Sequence, residues 1–238
     1  KHYDVLIFTD SKGSVDTFVD DSKGYSKDLI NEDFWTDKIC EQLETQGLSF
    51  LFISRPKILT IFFTLINFLM NNNISYNYLI TNLGFVDFTP KKEENMQDIL
   101  LQSPYTKSEL SYKKLSPYKL RSGIVDYLYT FNYGKIANNL AKDISKHFTY
   151  SLLIGCMEFS QSICIPRERP IDFFNQLKKT NEFLFEISSL SSRIHYFQPI
   201  KYPYDYLVKL SEDAVHFTQD GHNYLFKLLK PYVKFYLK

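Results

Sequence analysis

Five short apolar runs, separated by stretches of helical period, constrain this chain more than any other feature. The first, Asp4 to Thr9 (DVLIFT), is almost continuously apolar between polar flanks, the mark of a strand buried on both faces. Leu48 to Ile53, Tyr78 to Leu83, Tyr150 to Met157 and His195 to Ile200 repeat that pattern. A helix over 31–46 presents Phe34, Ile39 and Leu43 inward and ends at Gly47. The next runs from Pro56 to about Met70 and is closed by Asn71-Asn72-Asn73. Further helices are expected over Ile124 to His147 and Asp172 to Ser188. The last starts after the N-cap Thr218, with Tyr224, Leu225, Leu228, Leu229 and Val233 on its apolar face. Such alternation predicts a three-layer α/β/α domain with a doubly wound, flavodoxin-like, five-stranded parallel sheet and strand one at its centre.

The 238 residues suit a single domain over 1–238, and 44% hydrophobic content supplies its core. Segment 91–122 breaks the alternation, being rich in Lys, Glu, Ser, Tyr and Pro, and reads as an insertion, a lid or cleft wall. A net charge of +1 gives no global field for nucleic acid or an anionic membrane. Cys40, Cys156 and Cys164 are too few and too scattered for a disulfide framework or a zinc site. The apolar stretch Ile58 to Met70 is too short to span a bilayer. With no signal peptide visible, a cytoplasmic location is expected.

In open parallel sheets functional side chains gather beyond the carboxyl ends of the strands. Ser11, Arg55, Asn82, Glu158 and the loop holding Asp213 and His216 all fall at such ends. Asp213 precedes His216 by three residues, a spacing that lets the carboxylate reach one ring nitrogen and leaves the other to accept a proton. His216 and His222 as metal ligands would need a third partner that the sequence does not name, so neither metal nor cofactor is expected. No Gly-x-Gly-x-x-Gly or P-loop follows the first strand, which disfavours nucleotide binding.

The early Thr9-Asp10-Ser11, the turn Asn82 to Asp87 and the late block Asp213-Ala214-Val215-His216 through His222 together resemble the SGNH (GDSL-like) hydrolase family, in order and spacing along the whole chain. The resemblance implies Ser11 as nucleophile, His216 as base and Asp213 as its orienting partner. The Ser11 N–H and the Asn82 side chain would form the oxyanion hole. Three positions depart from the family pattern. Thr9 stands where the family has glycine, Ser54 or Arg55 where its second-block glycine would supply an oxyanion N–H, and Val86 where it has asparagine.

The function so implied is a serine esterase that removes an O-acyl group, in the first instance an O-acetyl, from a carbohydrate or related metabolite. An O-acyltransferase using the same serine in glycan biosynthesis, and a catalytically inactive binding protein on the same fold, remain as alternatives. Arg55, Arg167 and Arg169, with Lys12, Lys91 and Lys92, would line the same edge and favour an anionic substrate.

Overall fold

A computed structural model describes residues 3–10, 34–54, 58–83, 92–105, 108–114, 118–119, 125–126, 129–158, 171–198, 209–211 and 216–236. The sheet strands are β1 (Val5–Thr9), β2 (Phe50–Ser54), β3 (Tyr76–Thr81), β8 (Phe148–Ile154) and β9 (Ile194–Phe197). All of their pairings are parallel, in the order β2-β1-β3-β8-β9. This is the flavodoxin-like doubly wound arrangement. The expectation of a central strand one needs correction, because β3 occupies the middle and β1 lies between it and β2.

Successive β1 side chains enter opposite layers, as the pleat requires. Leu6 and Phe8 pack with Leu59, Phe62, Phe63 and Ile66 of α2 (Ile58–Asn72), and with Leu140 and Ile144 of α4 (Ala137–His147). Leu184 and Ile187 of α5 (Ile171–Ser189) join the same layer. Val5 and Ile7 pack with Trp35, Ile39 and Leu43 of α1 (Trp35–Thr45), and with Leu225, Leu229 and Val233 of α6 (Gln219–Tyr236). Phe8, Phe62 and Phe63 are almost fully shielded from water, which is worth about 1.5–3 kcal/mol for each ring.

Local stops match the sequence. Gly47, with φ +70°, follows α1, and Asn73, with φ 52°, follows α2; glycine and asparagine are the residues that tolerate this left-handed geometry. Within the expected insertion, α3 (Glu93–Gln102) buries Met96 and Ile99 in the α2 layer. Strand β4 (Ser111–Lys114) pairs antiparallel with β7 (Tyr129–Asn132), and β5 (Tyr118–Lys119) with β6 (Val125–Asp126).

The long helix expected over Ile124 to His147 is therefore wrong in its first half. Two strands and a 3-10 turn over Tyr133–Ile136 precede α4, which begins only at Ala137. The alternating aromatics Tyr127, Tyr129, Phe131 and Tyr133, followed by Gly134, favour an extended chain over a helix.

Candidate functional site

The carboxyl ends of β1 and β3 are tied together by two side chains. The Asp10 backbone N–H donates to Asn82 Oδ1 at 3.1 Å, and Asn82 Nδ2 donates to Asp10 Oδ1 at 2.7 Å. From the end of β2, Ser54 Oγ donates to the Asp10 carbonyl at 3.4 Å. All three residues are buried, and Asp10 is the residue immediately before Ser11. Three adjacent strand ends are thereby tied together at the residue that precedes the expected nucleophile in sequence. Asn82 uses its carbonyl and one N–H in this lock, and its amide carries a second N–H.

His216 is half-buried, just ahead of α6. Ser211 Oγ donates to its carbonyl at 2.8 Å, and Ser211 forms an antiparallel bridge with Phe217. Thr218 N–H donates to the Leu210 carbonyl at 3.0 Å. The Thr218 hydroxyl donates to the Lys209 carbonyl at 2.8 Å and accepts the Gly221 N–H at 3.1 Å, so the expected N-cap is present. Gly221 permits the closest approach, since a Cβ there would meet the Leu210 carbonyl oxygen at 2.1 Å. His216 is thus gripped by the 209–211 segment as well as by the helix that follows.

Two contacts orient α6. Phe34, the N-cap of α1, packs its ring 4.5 Å from His222 in the first turn of α6. Near the other end of α6, Tyr232 and Val233 border a cleft with Tyr78 and Tyr150, from the earlier halves of β3 and β8. Helix α6 therefore starts at the carboxyl edge of the sheet, the edge that carries Asp10 and Asn82. His222 is itself buried between Phe34 and Phe217. Burial, reinforced by nearby His216 and Lys38, pushes its pKa down to about 3.

Beyond β8 a second cluster gathers. The Asn181 side chain on α5 accepts the Cys156 N–H at 2.7 Å, and its Nδ2 donates to the Cys156 carbonyl and to Glu158 Oε1, both at 2.8 Å. Gln198, just past β9, donates to the same Glu158 oxygen at 3.2 Å. A Cβ on Gly155 would lie 2.6 Å from Asn181 Oδ1 and 2.7 Å from the Tyr196 hydroxyl, so only glycine fits. The sequence reading missed Asp10, Asn181, Tyr196 and Gln198. An asparagine in the middle of a helix, where its propensity is poor, is a signal that could have found Asn181.

Of the expected site residues, Asn82 and His216 are described and share this edge. Ser11, Asp213, Arg55, Arg167 and Arg169, with Lys12 and Lys91, lie outside the described residues. Lys92 is exposed at the start of α3. Among the described residues no three His, Cys, Asp or Glu side chains converge as a metal site would require, and no helix is long and apolar enough to cross a membrane. Burial, with the charges of Asp37 and Glu44, pushes the Cys40 thiol up to about 12, which removes it as a nucleophile at neutral pH.

Solved structures share this fold. The acetylxylan esterase of Geobacillus stearothermophilus superposes with a TM-score of 0.54 at 10% identity, over 98% of this chain and 94% of its own. A mutant of that enzyme, described as an acetyl-xylooligosaccharide esterase, gives a TM-score of 0.56 at 10% identity over the same shares of the two chains. No protein-family model matches the sequence, and no curated protein matches it. At such identity the likeness establishes the flavodoxin-like architecture.

Proposed function

We propose that this protein is an SGNH-type serine esterase that removes an O-acetyl group from a carbohydrate. Ser11 is the nucleophile, His216 the general base and Asp213 its orienting partner. The observation that carries the reading is the Asp10–Asn82 lock, which fixes the residue before Ser11 at the edge where α6 begins. A strained or pinned turn is what a nucleophile needs to be held ready for attack. The neighbours lend support. Catalytic mutants of the Geobacillus enzyme replace a serine, an aspartate and a histidine, and its aspartate and histidine have the Asp-x-x-His spacing of Asp213 and His216.

In this mechanism Ser11 Oγ attacks the acetyl carbonyl carbon as His216 takes its proton. The tetrahedral oxyanion is met by the Ser11 N–H and by the second N–H of Asn82. Collapse breaks the bond to the sugar oxygen, which leaves with the proton from His216. A water then gives its proton to His216, attacks the acyl-serine and releases acetate, and the proton returns to Ser11. Asp213 stabilises the imidazolium in both halves.

Fluorophosphonate labelling tests the proposal. Label is expected on Ser11, and its loss is expected in Ser11→Ala and His216→Ala proteins that keep native circular dichroism. A folded wild-type protein with neither label nor ester turnover would instead favour a binding protein on this fold.

A further inference from the structure

Glu158 lies four residues past the end of β8, half-buried, with its Oε1 held by both Asn181 and Gln198. Asn181 is itself 4% exposed and clamped to both backbone groups of Cys156, so the tether is rigid. Both bonds fall on one oxygen, and among the described residues no side chain donates to Oε2. Beside this cluster the Tyr196 hydroxyl is shielded from water and has no hydrogen-bond partner among the described residues. Burial, with Cys156 and Glu158 nearby, pushes its pKa up, so this neutral phenol adds no charge beside the Glu158 carboxylate. A half-buried carboxylate held in place by two tethers matches the needs of a polyol, whose hydroxyls donate hydrogen bonds.

Position agrees with chemistry. Strand β8 lies two places from β1 in the sheet, which at the usual strand spacing is roughly 10 Å. A sugar whose acetyl group reaches Ser11 can therefore extend a second ring toward β8. We propose that Glu158 is a specificity residue that accepts hydrogen bonds from the hydroxyls of an uncharged sugar carrying the ester. The inference rests on the esterase reading for its reaction, and on the Glu158 tethers for its site. A fixed carboxylate here also repels an acidic sugar, so this inference departs from the anionic substrate that Arg55, Arg167 and Arg169 suggest in sequence.

The test compares kcat/KM for acetylated xylobiose and for 4-nitrophenyl acetate, which has no sugar hydroxyls, in wild type, Glu158→Gln and Gln198→Leu. Each ratio is taken on one protein sample. Hydrogen bonds to a charged acceptor predict a ratio lowered roughly ten- to hundredfold in Glu158→Gln. The loss should fall mainly on the KM of the sugar ester, with a smaller effect in Gln198→Leu, where one tether is gone. A ratio equal to wild type in both variants overturns the inference. If the wild type hydrolyses neither ester, the esterase reading fails on its own. Titration of xylotriose into wild type and Glu158→Gln then decides the role of Glu158: tenfold weaker binding in the variant supports it, and equal or absent binding overturns it.

Discussion

Asn82 and Asp10 hold each other in both senses, with the Asp10 N–H donating to the Asn82 carbonyl at 3.1 Å and the Asn82 amide donating to the Asp10 carboxylate at 2.7 Å. Both residues are buried, so neither group can turn to water when its partner is removed.

Asn82→Ala is therefore expected to cost about 1–3 kcal/mol in stability, because it removes two buried hydrogen bonds, one from the Asp10 N–H and one to its carboxylate. If Asn82 also meets the oxyanion, kcat for an acetyl ester should fall about 10²–10³-fold with little change in KM. Urea titration and steady-state kinetics on the same preparation separate the two effects. A stability loss with normal kcat would assign Asn82 to bracing alone and move the oxyanion donors toward the β2 end at Ser54.

Gly221→Ala should be among the most damaging single-methyl additions. Its Cβ would meet a backbone oxygen, that of Leu210, at 2.1 Å, and a carbonyl in the bridge to 216–218 cannot swing aside as a side chain could. Either α6 shifts or the 209–211 segment does, and both carry His216. Overpacking of this kind costs about 1–3 kcal/mol or more. Turnover is expected to fall more than stability, read as kcat against the thermal midpoint, and an Ala variant with wild-type values of both would contradict this geometry.

Thr218→Ala removes the acceptor for the Gly221 N–H and the donor to Lys209. The expected cost is about 0.5–2 kcal/mol, with Thr218→Ser recovering most of it because the hydroxyl is what caps the helix. Chemical denaturation of the two variants checks this, and equal losses in Ala and Ser would point to the Thr218 methyl instead.

The sheet was legible because its strands are buried on both faces. Continuous runs such as Val5 to Phe8 have no other comfortable structure, and Gly47 and Asn73 mark helix ends by a backbone geometry few residues accept. The error ahead of Ala137 arose because the period-two aromatics Tyr127, Tyr129, Phe131 and Tyr133 run straight into the helical pattern of 137–147, and were read as one helix with it; the strand over Tyr129–Asn132 pairs with β4. At the site, the Thr218 cap and the place of His216 before α6 could be read locally, since cap and helix are neighbours in the chain. The Asp10–Asn82 lock and the Asn181–Glu158–Gln198 cluster could not. Each joins residues far apart in sequence, and nothing in the sequence shows that β3, rather than β1, lies at the middle of the sheet.

His222 makes the stability of the fold depend on pH. Its folded pKa of about 3 lies below the ordinary value of 6.5, because burial between Phe34 and Phe217 disfavours the charged ring and His216 and Lys38 add to that effect. Above pH 6.5 the ring is neutral whether the chain is folded or not, and its contribution is fully present. As pH falls below 6.5 the unfolded chain takes up a proton that the folded chain refuses, so stability declines. The slope from this residue is roughly 1.4 kcal/mol per pH unit, continuing toward pH 3. Nδ1 of this ring is buried without a hydrogen-bond partner among the described residues, so His222→Phe gives up no bond there while keeping the aromatic packing. That variant should unfold in urea with a visibly shallower loss of stability between pH 6.5 and 4 than the wild type. Parallel curves for the two proteins would mean that His222 is protonated in the fold, and the packing of Phe34 and Phe217 around a neutral ring would have to be abandoned.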